Sequence, residues 1–188
     1  MINLTKKNKI IIASVCAAIV ILVIILTCVI CLNNKNKKDN KVEDCTYLSF
    51  ELNSDGTGYS VTDVLDKSLT ELIIPSTYKG LPVTSIATYA ITTVQAEKIY
   101  IPESVSTIAD NAFDYNSNIK EVTIMNKNIS IGNRFLRQSN VIETINFNGT
   151  KEEWNAVSKG STWDEFLGQL NYTIKCTDGD ISMQKQMS

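Results

Sequence analysis

A short strand pattern of apolar, any, apolar residues recurs along the chain and constrains its fold more than any other feature. The five copies have first residues spaced 27, 23, 23 and 27 apart, and an aliphatic residue stands three positions before each of the first four. The copies begin at Leu72, Ile99, Val122, Ile145 and Tyr172, and the preceding residues are Leu69, Ala96, Ile119 and Ile142. Self-similarity at such a spacing is the signature of a solenoid.

A second apolar phrase follows two of these strands, at 83–87 with 90–91 and at 105–109 with 112–113. A shortened version lies at 129–132, with Phe135 after it. Each unit therefore contains a strand, a turn and a second apolar segment, and no such unit covers its own apolar side, so the units must stack. The sequence predicts a repeat solenoid of parallel strands with short helices or turns.

Alternation along a strand sends neighbouring side chains to opposite faces of the sheet. The residues predicted to point inward are Leu72, Ile74, Ile99, Ile101, Val122, Ile124, Ile145 and Phe147. The residues predicted to form the outer face are Glu71, Ile73, Lys98, Tyr100, Glu121, Thr123, Thr144 and Asn146. We predict that this outer face binds a partner, with Ile73 and Tyr100 as its anchor. The alternative is that these residues serve only solubility and cross-strand pairing.

An uninterrupted apolar segment precedes the repeats. Residues 10–32 contain no charge, and 23 residues at about 1.5 Å each span a hydrocarbon layer of about 30 Å. This length exceeds the core of a cleaved signal peptide, so we predict one transmembrane helix. Lysines flank it on both sides and do not decide its orientation. A short tail before a whole domain favours a single-pass cell-membrane protein whose C-terminal domain is extracellular.

The composition of residues 33–44 is polar and charged, which predicts a flexible stalk between the membrane and the domain. The predicted organisation is a cytoplasmic tail at 1–9, the transmembrane helix at 10–32, the stalk at 33–44, the ectodomain at 45–179 and a disordered tail at 180–188. Within the ectodomain we predict an N-terminal hairpin cap at 48–68, repeats at 69–149, and a C-terminal helix and last strand at 150–176.

The two caps have local signatures. Alternating apolar residues on both sides of the turn at 53–58 predict the hairpin. That turn resembles the start of a calcium loop, but its twelfth position is Val64, where a bidentate Glu is required. At the other end Thr150 and Glu153 form a capping box that starts a helix running to about residue 158. This helix is expected to bury Trp154 and Val157.

Composition excludes much enzymology. The chain has no histidine, which removes histidine bases and every zinc site that requires an imidazole. A net charge of -2 provides no basic footprint for nucleic acid. Glu152 with Glu153, and Asp164 with Glu165, are adjacent carboxylates that lack the opposed geometry of glycoside hydrolysis. We expect no catalytic residues, no cofactor and no metal.

Cys45 and Cys176 are the two cysteines of the predicted ectodomain, whose exterior setting favours disulfides. Five strands stacked at about 4.8 Å separate the two ends by about 19 Å, whereas a disulfide needs Cα atoms within about 7 Å. We predict that they are not joined unless the N-terminal segment folds back along the stack.

The repeats resemble the BspA-like leucine-rich repeat family over about residues 48–179. The likeness rests on IPESVSTIADNAF at 101–113, with LIIPSTYKGLPVTSIA before it and FNGTKEEWNAVSKGSTW after it. The third unit departs from the pattern, since Met125 replaces a proline and the stretch at 132–135 is one residue short. The resemblance implies a right-handed parallel solenoid of bacterial surface proteins, linked to adhesion or protein binding. A passive spacer of the cell envelope is the alternative.

Overall fold

The computed structural model describes residues 45–165, 167 and 170–184, whose strands form two sheets wound into a solenoid. In each turn of the solenoid, here called a coil, the chain passes from a strand of sheet B to a strand of sheet A. Sheet A contains, in spatial order, β1 (Leu48–Leu52), β2 (Tyr59–Val64), β5 (Leu81–Ile86), β7 (Thr107–Ile108), β9 (Ser130–Ile131) and β11 (Ser158–Lys159), with β4 (Thr77–Tyr78) beside β5. Sheet B contains β3 (Glu71–Ile73), β6 (Lys98–Ile101), β8 (Glu121–Ile124), β10 (Thr144–Phe147), β12 (Tyr172–Cys176) and β13 (Gly179–Met183). A short helix, α1 (Lys151–Ala156), lies between β10 and β11 in the chain.

The parallel strands of sheet B stack in constant register. Leu72 pairs with Ile99, Ile99 with Val122, and the same column continues through Ile145 to Ile174. The eight side chains predicted to point inward are all buried, with at most 3% of their surface exposed. The prediction of a parallel inward ladder is therefore confirmed.

The last parallel strand lies two residues away from its predicted alignment. Ile145 pairs with Ile174, not with Tyr172, so the last interval is 174 − 145 = 29 residues where the pattern predicted 27. A shift of two residues preserves the inward face because side chains alternate with period two. Tyr172 and Ile174 are accordingly both buried.

The second apolar phrases form sheet A. Ile86 pairs with Ile108, and Ile108 with Ile131, in parallel register. These three side chains are buried against the inward face of sheet B, so each coil contributes one strand to each wall of the core. The sequence had predicted these segments only as apolar, without assigning them to a sheet.

The turns after the sheet A strands repeat their backbone conformation. Tyr89, Asn111 and Arg134 have positive φ, and so do Thr93, Tyr115 and Gln138. The first three residues stand three positions after Ile86, Ile108 and Ile131, respectively, and the other three stand seven positions after the same isoleucines. The third turn is therefore of full length, and the prediction that it is one residue short was wrong. Leu136 occupies the position of Phe113, while Phe135 packs its ring edge-to-face on Phe113 with centroids 5.3 Å apart.

The N-terminal end of the solenoid is covered by the predicted hairpin. β1 pairs antiparallel with β2, and β2 joins the parallel ladder of sheet A through β5. On this hairpin Phe50 stacks on Tyr78, with ring centroids 4.1 Å apart, and Tyr59 meets Tyr78 edge-to-face at 5.0 Å. Tyr47, just before the hairpin, donates a hydrogen bond from its hydroxyl to the carbonyl oxygen of Ile73 at 2.7 Å. The aromatic rings thus hold the cap on the first coil.

The C-terminal end contains the predicted capping box, in which the Thr150 hydroxyl accepts from the Glu153 N–H and the Glu153 carboxylate accepts from the Thr150 N–H. The helix ends at Ala156, two residues earlier than predicted, because the chain then pairs with sheet A as β11. Trp154 and Val157 are buried as expected.

Residues 180–183 were predicted to belong to a disordered tail, and that prediction was wrong. They lie in β13, which pairs antiparallel with β12 through a turn at residues 177–178. The turn is fixed in place because the Asp178 carboxylate accepts a hydrogen bond from the Lys151 N–H at 2.9 Å.

Cys45 and Cys176 are free cysteines. Cys45 is buried and precedes β1, the first strand of sheet A. Cys176 is the last residue of β12, which is next to the final strand of sheet B. Among the described residues, no helix has the length and apolar character needed to cross a membrane. The predicted transmembrane helix at 10–32, with the tail at 1–9 and the stalk at 33–44, lies outside the described residues.

The buried side chain of Asn116 ties two coils together. Its Oδ1 accepts from the Val94 N–H at 2.9 Å, and its Nδ2 donates to the carbonyl oxygens of Ile91 at 2.6 Å and Phe113 at 3.0 Å. One amide therefore satisfies a backbone donor and a backbone acceptor of the preceding coil, in a place that water does not reach.

We expect Asn116→Ala to lower the free energy of unfolding by about 3 kcal/mol, because it leaves the Val94 N–H and the Ile91 carbonyl unsatisfied. Asn118→Ala is the matched control and should cost about 0.5 kcal/mol. The Asn118 amide donates to the exposed Gln95 side chain at 3.1 Å and makes only a long, 3.5 Å contact with the Val94 carbonyl. Urea unfolding of residues 45–188, followed by circular dichroism, measures both. Equal losses for the two variants would contradict the assigned role of Asn116.

Candidate functional site

The predicted outward side chains form two adjacent columns on the outer face of sheet B. Their strands are paired in register, so each residue is the direct neighbour of the next within its column, at about 4.8 Å. The first column is Glu71, Lys98, Glu121 and Thr144, and the second is Ile73, Tyr100, Thr123 and Asn146. We call these eight residues the outer ladder. The structure thus brings every predicted site residue onto one surface.

Four of the six polar residues of the outer ladder are joined by an ion pair or hydrogen bonds. Lys98 Nζ lies 3.7 Å from a Glu121 carboxylate oxygen, and Asn146 Nδ2 donates to Glu121 Oε1 at 2.8 Å and to Thr123 Oγ1 at 3.2 Å. Such exposed pairs add little to stability because water solvates both partners. These contacts instead fix the position of the Glu121 carboxylate, which lies between the Lys98 ammonium and the Asn146 amide and still faces solvent.

The apolar part of the outer ladder consists of two of its eight residues. Ile73 and Tyr100 pair directly across β3 and β6, and both are half-buried. The pKa of Tyr100 is raised, mainly by partial burial and to a smaller extent by the negative charge of Glu103. Its phenol is therefore neutral near pH 7. Burial also raises the pKa of Tyr47 to about 12. The Tyr47 hydroxyl therefore stays protonated near pH 7 and can donate to the Ile73 carbonyl oxygen. Ile73 and Tyr100 therefore present an aliphatic and an aromatic side chain next to each other.

A shallow cavity of about 250 Å³ adjoins the outer ladder at the carboxyl ends of β8, β10 and β12. It shares Thr123 and Asn146 with the ladder, and its wall includes Phe147 and Lys175. Sites for small organic ligands are usually enclosed and range from about 300 to 1,000 Å³. An open cavity of this size suits one side chain of a larger partner.

Residues 65–157 match the BspA type leucine rich repeat region in 6 copies. The repeat region of this chain belongs to the BspA-type leucine-rich repeat family. The resemblance found in the sequence is thereby confirmed, and the matched residues include the sheet B strands β3, β6, β8 and β10.

A crystal structure of a leucine-rich repeat protein from T. pallidum is similar to this fold, with a TM-score of 0.54 and 21% sequence identity. The match covers 65% of this chain and 65% of that chain, so this protein corresponds to less than two thirds of the crystallised one. At this identity the likeness concerns the fold alone. No curated protein matches the chain.

The BspA-type coils also carry an exposed patch that sequence analysis missed. Tyr89 and Tyr115 are each 51% exposed on the turns that follow sheet A. Arg137 lies over the Tyr115 ring, with Cζ 5.1 Å from its centroid, and donates to the Tyr115 hydroxyl at 3.0 Å. We call these three residues the tyrosine patch. Tyr89 and Tyr115 both have positive φ in these turns. The sequence alone does not indicate that conformation, so it does not show that the residues of the patch lie near each other.

Arg137 also neutralises a buried acid. The Asp114 side chain is fully buried, and its Oδ1 accepts from Arg137 Nε at 2.8 Å. The hydrogen bond to Asp114 is the main cause that raises the pKa of Arg137. The guanidinium is thus committed to Asp114 on one edge and to Tyr115 on the other.

The remaining candidates for chemistry have structural roles. Trp154 is buried and meets Phe147 and Trp163 edge-to-face, at 5.1 and 5.8 Å between centroids, which confirms its predicted place in the end of the core. Glu153 serves the capping box and pairs with Lys127 at 2.8 Å. Among residues 45–165, 167 and 170–184, no three acidic or cysteine side chains are grouped so as to hold a metal.

We expect Arg137→Met to lower the melting temperature of the domain by about 10 °C, because it leaves the buried Asp114 carboxylate without a cation, with the Tyr115 N–H still donating to it. Arg134→Met is the matched control, since Arg134 pairs with Glu165 at the surface, and should change it by about 2 °C or less. Differential scanning calorimetry of both variants tests this. A loss no larger than that of the control would mean that Arg137 is not needed to compensate Asp114.

Proposed function

We propose that this protein is a non-catalytic, membrane-anchored surface protein of bacteria that binds another protein through the outer ladder. Leucine-rich repeat domains commonly bind proteins, and solenoids often do so on an extended strand face. The observation that carries the proposal is the register of sheet B. It aligns eight outward residues beside one another on strands whose opposite face is already filled by the core.

The composition of the outer ladder supports a protein as the partner. Ile73 and Tyr100 offer apolar area beside a hydroxyl, which is the usual chemistry of an interface anchor. Lys98, Glu121 and Asn146 surround the anchor with groups that hydrogen-bond to a polypeptide. Because strand pairing already fixes the backbone of the ladder, binding would cost little ordering entropy on this side of the interface.

The proposal of a non-catalytic role is supported by how the polar groups are used. Acid–base or nucleophilic catalysis needs a nucleophile within hydrogen-bond reach of a base. The chain contains no histidine. The carboxylates of Glu153, Asp114 and Glu121 are engaged in a helix cap, a buried ion pair and the outer ladder, respectively.

Anchoring at the cell surface is proposed from the sequence. The uncharged segment at 10–32 has the length of a transmembrane helix, and the polar segment at 33–44 would separate the domain from the membrane. The proposed orientation has residues 1–9 in the cytosol and the solenoid outside the cell. Adhesion to a host or to the envelope of the same cell would use the same surface.

Binding by the outer ladder is tested by immobilising residues 45–188 and recovering partners from cell-envelope and host-matrix extracts. The test variant is Ile73→Asp with Tyr100→Ala. The control variant is Val141→Asp with Tyr89→Ala, which makes the same two chemical changes at exposed positions off the ladder. We expect the test variant to lose at least about tenfold in affinity for each enriched protein, since an anchor is worth more than about 1.4 kcal/mol.

The control variant should retain those proteins, and both variants should melt near the wild-type temperature. A partner lost only from the control variant would move the site to the turns that carry Tyr89. Equal recovery by all three baits, or no recovery, would contradict the proposal and favour a passive spacer of the envelope.

The proposed topology is tested with the full chain in a bacterial host that has a single membrane. Cys176 is half-exposed, whereas Cys45 is buried. We therefore expect a membrane-impermeant maleimide to label Cys176 on intact cells. In the Cys176→Ser variant the peptide that contains residue 176 should carry no label. The protein should also resist extraction by alkaline carbonate. Labelling that requires permeabilised cells would place the domain on the cytosolic side.

A further inference from the structure

The two sheets have four edges among the described residues, and three of them are protected. The Tyr47 hydroxyl occupies the Ile73 carbonyl on the β3 edge. The pairing of β1 with β2 shifts register between Ser49 and Phe50, and β11 is only two residues long. Short strands and bulges are devices by which proteins prevent edge-to-edge pairing.

The fourth edge, β13, has none of these devices. Its five residues, Gly179 to Met183, pair with β12 without any register shift. The strand contains no proline and no lysine, and its single charge is Asp180. A regular, unprotected antiparallel edge offers a row of free N–H and C=O groups to another strand.

The hairpin fixes which backbone groups face outward. The two-residue turn places Cys176 and Gly179 in a hydrogen-bonded pair. Because hydrogen-bonded and non-hydrogen-bonded pairs alternate, the backbone groups of Gly179, Ile181 and Met183 face β12. Those of Asp180 and Ser182 face away from the sheet.

This edge is complementary to itself. Antiparallel pairing of two β13 strands about Ile181 places Ile181 opposite its own copy in a non-hydrogen-bonded pair. Asp180 then lies opposite Ser182 of the other copy in a hydrogen-bonded pair, which gives four backbone hydrogen bonds. No like charges are opposed, and the half-buried Ile181 side chains meet on the core side.

We propose that β13 is a homodimerisation edge, at which a second copy of this chain pairs antiparallel about Ile181 and joins two six-stranded sheets into one of twelve strands. A two-fold axis perpendicular to the sheet keeps both outer faces on the same side. Each dimer would then present two outer ladders together, a consequence that rests on the proposed function. The dimer itself does not depend on it.

The contact is small, since it consists of one pair of strands, and we expect a reversible dimer. The proposed membrane anchor, which this test assumes, would raise the effective concentration of such partners. The test therefore uses the full chain in membranes, in a background where Cys16, Cys28 and Cys31 are replaced by Ala and Cys176 by Ser. Buried Cys45 is retained.

In this background Ile181→Cys should form a disulfide-linked dimer on mild oxidation, because the two Cα atoms lie about 4.5 Å apart in such a pair. Ser182→Cys is the matched control, since residue 182 and its copy lie on a diagonal about 7 to 8 Å apart, beyond ready disulfide reach. Non-reducing electrophoresis is expected to show a band at twice 20.9 kDa for Ile181→Cys and no such band for Ser182→Cys.

A second substitution tests the hydrogen bonds themselves. Ser182→Pro removes an N–H that faces outward, so it spares the pairing with β12 but removes two of the four bonds between copies. Added to Ile181→Cys, it should abolish the dimer band, whereas Ser182→Thr should retain it. Light scattering of the full chain in detergent should give the same loss of dimer mass for Ser182→Pro without Ile181→Cys.

Three results would overturn the proposal. They are no dimer band for Ile181→Cys in a chain that melts like the wild type, equal bands for Ile181→Cys and Ser182→Cys, and a dimer that survives Ser182→Pro. A crosslinked product of any other mass would assign this edge to a different protein, and would equally contradict a second copy as its occupant.

Discussion

Every coil of this domain depends on its neighbours to cover its apolar side chains. A coil contributes about one strand to each sheet, and its inward residues have nothing to pack against within the coil except the opposite wall. Stacking places Leu72, Ile99, Val122 and Ile145 in one continuous column and satisfies the backbone groups between coils. This dependence is also why the ends require separate structures, the aromatic hairpin at one end and α1 with β13 at the other.

The same constraint leaves the outer face of sheet B free to vary. Inward positions must be apolar and of similar size because they stack on their own kind, whereas outward positions need only tolerate a strand. Along the outer ladder the second column changes from Ile73 and Tyr100 to Thr123 and Asn146. A surface of fixed spacing and variable chemistry is well suited to recognition, because the partner meets side chains whose positions are already set.

Much of the fold could be predicted from the sequence because the strand pattern carries period two and the repeats carry a nearly fixed spacing. All eight inward residues and the shared face of the eight outward residues followed from that pattern. The left-handed turns could not be predicted, since residues such as Tyr89 and Arg134 adopt this conformation only where backbone bonds from the next coil hold them. The Tyr89 N–H, for example, donates to the Asn111 carbonyl. β13 was missed because its short polar sequence has strand character only beside β12.

Hydrogen exchange of single backbone amides in residues 45–188 tests the stacking of coils most directly. The Met125 N–H donates to the Ile101 carbonyl at 3.0 Å, and the Asn148 N–H donates to the Ile124 carbonyl at 3.0 Å. If the coils stack in this register, both amides should be strongly protected and should exchange only when the central coils unfold. Rapid exchange of Met125 and Asn148 in a folded domain would contradict the stacking, and with it the outer ladder that depends on it.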